Sequence, residues 1–154
     1  MECNLLIRAG EVKRHAPDTL TDMREVEADD RCPCGTGEVY GQCCGPILAG
    51  DRKAPTAEAL MRSRFSAFAT GDRDYVVGSW HPDTRPRRLT LDDELDWYRL
   101  DIESSTAGGP FDTTGEVTFT AYHRNGSLRG SLHEHSRFTR VDGAWVYLDG
   151  TLES

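Results

Sequence analysis

Between residues 57 and 68 the apolar side chains fall three and four positions apart. Ala57, Leu60, Met61, Phe65 and Phe68 form one stripe of a helix. Thr56 predicts its N-cap, Glu58 places an acid in the first turn, and Gly71 suits the position just past the last turn. Arg64 lies on or beside that stripe, an unusual place for a charge. Asp72 predicts the cap of a second helix carrying Tyr75, Val76, Val77 and Trp80, ended by His81-Pro82. Thr90 with Asp93 resembles a capping box and predicts one more short helix, to about Asp96.

From Trp97 the period changes to two. Tyr98, Leu100 and Ile102 alternate through a first strand at about 97–105, and a Gly/Pro loop follows from Ala107 to Thr114. Asn125-Gly126 and Asp142-Gly143 are two-residue hairpin signals, so the remainder reads as a meander. Taking Arg124 opposite Ser127 places Phe119 opposite Leu132 and Val117 opposite Glu134. Taking Val141 opposite Ala144 places Phe138 opposite Tyr147 and Ser136 opposite Asp149. Leu132, Glu134, Ser136, Phe138, Tyr147 and Asp149 then share one face, unless a bulge breaks the parity. Helices first and strands afterwards predict an α+β fold with the helices on one face of an antiparallel sheet.

Upstream of the helices the pattern is set by cysteine. Four of the five cysteines, Cys32, Cys34, Cys43 and Cys44, fall within one short stretch as C-x-C, eight residues, then C-C. Two tight turns can each offer a pair of sulfurs to one tetrahedral ion. Thiolates are soft donors, and a closed set of four suits a structural zinc ion. Neighbouring Cys43 and Cys44 bridge poorly to each other, which disfavours disulfides, and the spacing is not that of a C-x-x-C redox pair. An iron–sulfur cluster is chemically open to four thiolates, although the spacing matches no ferredoxin run.

Cys32-Pro33-Cys34-Gly35-Thr36-Gly37 followed by Cys43-Cys44-Gly45-Pro46 resembles the SEC-C motif, a small zinc knuckle named for the C-terminus of the SecA translocation ATPase. Residues 54–68, Trp80-His81-Pro82, the stretch 132–138 and the stretch 145–150 resemble the YchJ-like family of bacterial proteins. The resemblance runs from about Arg31 to Gly150. It implies a zinc knuckle at 31–50 followed, at 54–152, by a domain similar to nuclear transport factor 2, a cone of helices against a curved antiparallel sheet. It implies no established reaction. Residues 1–30 fall before it and read as a loosely attached or disordered tail, with mixed charges and no helical stripe.

Composition narrows the function. The 154 residues are 37% hydrophobic with a mean hydropathy of −0.59, and the formal net charge is −8. Four thiolates around one divalent ion would add two further negative charges, so wrapping DNA through a general phosphate footprint is disfavoured. No apolar run approaches a membrane span, and the start of the chain is not a signal peptide. Reduced cysteines without an export signal imply the cytoplasm.

Candidate chemistry centres on Glu134, a carboxylate alternating with Leu132 and Phe138 on the face that should be buried. A buried carboxylate needs a partner, and Arg64 is the best placed, with Tyr75, Trp80, Ser136, Tyr147 and Asp149 able to complete a polar network in the cone. That network reads either as a packing device or as a small-ligand pocket with Glu134 or Asp149 as base and Arg64 holding an anion. His133 and His135 should point to the opposite face. Arg85, Arg87 and Arg88 form a charged loop that reads as solvated or as an anion-binding lip, with nucleic-acid binding as the weakest reading. Two functions stay open. One is an adaptor whose knuckle contacts a protein or ribonucleoprotein, with the cone as scaffold or ligand sensor; the other is a small-molecule lyase or isomerase built on Glu134, Asp149 and Arg64. A homodimer through the sheet is compatible with either.

Overall fold

The computed structural model describes residues 25–153. Cys3 and most of the expected tail lie outside them. The elements are α1 (Cys44–Ala49), α2 (Ala57–Thr70), α3 (Arg73–Gly78), β1 (Asp96–Ala107), β2 (Thr114–Asn125), β3 (Leu128–Val141) and β4 (Ala144–Leu152). The four strands form one antiparallel sheet in sequence order. This is the α+β arrangement that the patterning predicts.

Local chemistry sets the helix ends. The Thr56 side chain accepts from the amide of Ala59, and Gly71 closes α2 with a left-handed φ of 82°. Asp72 accepts from the amide of Tyr75 to cap α3. Two helices differ from expectation. At the end of the knuckle the chain forms α1, which the patterning does not predict and which Gly50 caps with φ 86°. The short helix expected at 90–96 is a turn: the Asp92 side chain accepts from the amide of Glu94, and the Asp92 carbonyl accepts from Leu95. That local bond competes with a helical start.

α3 ends at Gly78, and Trp80 leaves it to pair in parallel with Tyr147. The amide of His81 donates to the Tyr147 carbonyl, and that of Tyr147 to the Ser79 carbonyl, both at 2.8 Å. The segment thereby extends the sheet past β4.

Register is decided at the turns. Gly126, φ 64°, takes the first loop position with Ser127 second, so Asn125 pairs with Leu128. A glycine first in the loop is the II′ arrangement. The expected pairing is therefore displaced by two residues: Phe119 faces Glu134, Ala121 faces Leu132 and Val117 faces Ser136. A shift of two leaves every side chain on its expected face. The second hairpin starts as expected, with Val141 opposite Ala144 and Phe138 opposite Tyr147. An irregularity then follows, and Arg137 pairs with Asp149 while Ser136 pairs with Gly150. One extra residue in β4 moves Asp149 to the outer face, which corrects its placement beside Glu134.

Two further irregularities curve β1, after Trp97 and after Ile102. The concave face holds the core. Leu60, Met61 and Phe65 of α2 join Val117, Phe119, Leu132, Phe138 and Tyr147 in one buried cluster. Along β3 buried Leu132, Glu134, Ser136 and Phe138 alternate with partly or fully exposed His133, His135 and Arg137.

Candidate metal centre and buried polar network

The knuckle is built from two backbone clasps. Arg31 bridges to Val39, and the amide of Cys32 donates to the Glu38 carbonyl at 2.9 Å. Within that loop the amide of Gly35 donates back to the Cys32 carbonyl, and a φ of 86° at Gly35 turns the chain so that Cys32 and Cys34 project together. The second clasp is a short 3-10 turn, Tyr40–Gln42, whose end presents Cys43, with Cys44 opening α1. The amides of Tyr40 and Gly41 donate to the carbonyls of Asp30 and Ala28.

The four sulfurs lie within 4.8 Å of one another, and Cys34 Sγ is 3.6 Å from Cys43 Sγ. Sulfurs bound at about 2.3 Å around a tetrahedral zinc stand about 3.8 Å apart, so the cluster fits such an ion. All four cysteines are free. Cys32, Cys34 and Cys44 are buried and Cys43 is half-buried. Hydrogen bonds from Cys34 and Cys44 hold the Cys32 thiol well below its ordinary range. The reciprocal bond to Cys32 pushes Cys34 up to about 11, and the bonds to Cys32 and Cys34 with burial push Cys44 up strongly. Packed this closely the sulfurs cannot all ionise alone, and a divalent cation removes the conflict.

Helix α2 supplies a supporting layer. Glu58, Arg62 and Ser66 lie four apart on one side of it. The Arg62 Nε donates to Glu58 at 3.0 Å, and its Nη1 donates to the Cys34 carbonyl at 2.8 Å. Ser66 Oγ is 3.6 Å from Cys32 Sγ. From the other side Arg52 Nη2 donates to the Cys43 carbonyl at 3.0 Å. Two cations thus lean on the backbone of two ligands, where they offset thiolate charge. Sequence reading missed this layer. Glu58 reads as a first-turn acid, and only the spacing of Glu58 and Arg62 hints that the arginine is held in place. Removing such an outer partner weakens metal binding by about 10- to 100-fold. Arg62→Ala should accordingly release the metal to a chelating dye at least ten times faster than the wild type, and an unchanged rate would remove the role.

The sheet interior holds the second cluster. Arg64 is 2% exposed; its Nη1 donates to the Val76 carbonyl at 3.0 Å and to Ser79 Oγ at 2.8 Å. Its guanidinium lies 5.0 Å from the Trp80 ring centroid and 4.4 Å from that of Tyr147. Glu134 is 1% exposed and accepts from Ser136 Oγ at 2.9 Å and from the Tyr147 hydroxyl at 3.4 Å. Both charges therefore meet at Tyr147, one on its ring and one at its hydroxyl. Gly150 completes the enclosure: a methyl group there would fall 2.8 Å from the Tyr147 hydroxyl and closer still to the Glu134 carboxylate.

Of the residues the sequence groups together, the structure brings Arg64, Trp80, Glu134, Ser136 and Tyr147 into one buried network. Tyr75 stands at its edge, with its hydroxyl 2.6 Å from Ser63 Oγ. Asp149 is outside it, paired with Arg137 at 2.6 and 2.7 Å on the outer face, where Arg137 holds its carboxyl below the usual range. Such exposed pairs contribute about 0–1 kcal/mol. Asp149→Asn should thus lower the urea-unfolding free energy by less than about 1 kcal/mol. A loss of several kcal/mol would return Asp149 to the interior.

Two surface cavities are lined by other residues. One of about 310 Å³ lies between Phe68, Arg73, Leu89 and Leu95, and one of about 260 Å³ between Thr106, Glu116, Arg137 and Leu148. His133 and His135 face outward, paired with Glu103 and Glu116 at 3.0 and 2.9 Å. The His81 ring accepts from the amide of Asp83, and Arg85 donates to the Trp80 carbonyl, so both are tied into the turn after α3.

Comparison with known proteins matches the knuckle and the larger domain separately. Residues 30–46 match the SEC-C motif, and residues 56–150 match the YchJ, middle NTF2-like domain. A UPF0225 protein of Corynebacterium efficiens is 59% identical over 119 residues, covering 77% of this chain and 91% of that protein. One of Streptomyces coelicolor is 56% identical over 119 residues, 77% of this chain and 93% of its own. The solution structure of a SEC-C motif containing protein from Rhodopseudomonas palustris superposes with a TM-score of 0.69 at 36% identity, covering 80% of this chain and 98% of that one. The crystal structure of a SEC-C motif containing protein from Psychrobacter arcticus gives 0.63 at 27%, covering 82% and 85%.

Proposed function

The chain belongs to the YchJ-like UPF0225 family, and from that footing we propose that it is a zinc-binding adaptor whose knuckle contacts a protein or ribonucleoprotein partner. The observation that carries this reading is the donor set. Four cysteines saturate a tetrahedral ion, so the metal organises a surface and keeps no position for a substrate. The donors are all soft, which favours zinc over harder divalent ions. The knuckle is also seated on α2 through Arg62 and Ser66, so a partner bound to it would be held rigidly against the larger domain.

The filled interior supports the same reading. An enzyme using Glu134 as base would need that carboxylate open to a ligand, and its oxygens are taken by Ser136 and Tyr147 beneath Gly150. Arg64, Trp80, Glu134, Ser136 and Tyr147 then act as a polar lock between α2, the segment after α3 and the sheet, and the domain serves as scaffold. Among the described residues no helix is long and apolar enough to cross a membrane. Four reduced thiols suit a cytoplasmic setting.

Native mass spectrometry of the freshly purified chain tests the metal. One zinc per chain is expected, together with the oligomeric state. An iron–sulfur mass or two disulfides would remove the zinc reading. Crosslinked capture with wild type and Cys43→Ser tests the adaptor. Partners recovered equally by both would argue against a role for the knuckle.

A further inference from the structure

Two cavities meet where the knuckle abuts the larger domain. One, of about 490 Å³, lies between Cys43, Ile47, Pro55, Ala59 and Arg62. The other, of about 540 Å³, lies between Leu48, Leu60, Tyr75, Trp145 and Val146. Ile47, Arg52 and Lys53 line both, so the two form one groove running from the metal ligands to the β3–β4 hairpin. Its walls are largely apolar, and its junction carries two exposed cations.

The charges along this groove are unequal in what they are free to meet. Arg62 is held by Glu58 and the Cys34 carbonyl, and Arg52 leans on the Cys43 carbonyl, so both face the thiolate cluster. At the far end Asp72 caps α3 and Asp74 pairs with Arg73. Lys53 is exposed at the junction and pairs with no carboxylate among the described residues. Midway along an apolar groove, Lys53 thus has no acidic partner among the described residues.

We propose that this groove binds an extended peptide segment of a partner protein, with apolar side chains filling the two cavities and an acidic side chain between them against Lys53. The lining argues against a nucleic-acid strand, because phosphate tracking needs free cations along the whole path: Arg52 and Arg62 are engaged with carbonyls beside the thiolates, Asp72 and Asp74 line the far end, and the walls are otherwise Ile47, Leu48, Leu60, Trp145 and Val146. The inference rests on the adaptor reading and names the chemistry of the partner.

The test is selection of a random-peptide display library on the full-length chain as purified, with its metal content read by native mass spectrometry. The expected consensus is an acidic residue flanked on both sides by aliphatic or aromatic residues. A synthetic peptide of that consensus should bind more tightly than about 100 μM. Lys53→Glu should weaken it about tenfold by charge reversal, and Ala59→Trp, which fills the knuckle-side cavity, should also weaken it. Both variants should keep one metal by native mass spectrometry. Selection of no peptide, a consensus lacking an acid, affinity untouched by both variants, or oligouridylate binding that Lys53→Glu abolishes would each overturn the proposal. The two readings fail separately. A chain that holds no metal yet selects this consensus keeps the groove and removes the zinc adaptor; a chain with one zinc that selects nothing removes the groove alone.

Discussion

Cys32→Ser is expected to lose the bound metal and to unravel the knuckle while α2 and the sheet stay folded. A serine hydroxyl is a hard, un-ionised donor and cannot replace a thiolate on a soft ion. Structural zinc contributes about 10–16 kcal/mol of apparent binding energy in small peptides, and that energy is folding energy. Little else holds this segment. Its core is Cys32, Cys34 and Cys44, with Tyr40, Cys43 and Leu48 packed against them. Without the metal those sulfurs would be crowded polar groups, not a core. The larger domain has its own cluster, centred on α2 and the concave face, and does not depend on the ion. Hydrogen exchange should show protection lost over residues 27–49 and kept over 57–152. Metal retained at full stoichiometry would sink the four-thiolate centre.

Arg64→Leu should cost about 3–5 kcal/mol, the range for breaking a buried charge network from one side. The substitution takes the donor from the Val76 carbonyl and from Ser79 Oγ, and removes the cation from between Trp80 and Tyr147. Glu134, 1% exposed, would stay buried in a network that has lost its cation, with the Ser136 and Tyr147 hydroxyls still donating to it. The melting temperature should fall by roughly 10–20 °C for a domain of this size. Arg64→Lys should not rescue it, because an ammonium lacks the planar fork that stacks and donates at once. The double variant Arg64→Leu with Glu134→Leu should recover part of the loss, since the stranded charge goes with it. A single-variant change below about 1 kcal/mol would show that the network is unimportant to stability.

The helix stripes, the cysteine cluster and the period-two strands are written in residues near one another in the chain, so their identity follows from local rules. Thr56, Gly71 and Asp72 cap as their types require. The faces of β3 follow from alternation alone, and a register displaced by two does not alter them. Glu134 could be singled out in this way because a carboxylate in a buried row is anomalous wherever the partners lie. The cysteine motif is equally legible, since four thiols in one short stretch are costly without an ion.

Asp149 marks the limit. One extra residue in β4 moves it to the other face, and nothing in the alternation of β4 announces where that residue sits. The helix expected at 90–96 fails for a similar reason, because the Asp92 side chain competes for the backbone it was expected to start. The outer layer around the cysteines was hidden because Arg62 and Ser66 reach them only after α2 has packed on the knuckle, and Arg52 only after the turn past α1 has folded back. By itself the sequence determined the types of the long elements, the family resemblance, the cluster of four cysteines and the charges that must be buried. The tertiary structure alone decided the strand register, the closing of the interior over Glu134, and the groove at the seam between knuckle and domain. Those depend on contacts between residues far apart in the chain, where a shift of one position exchanges one face for the other.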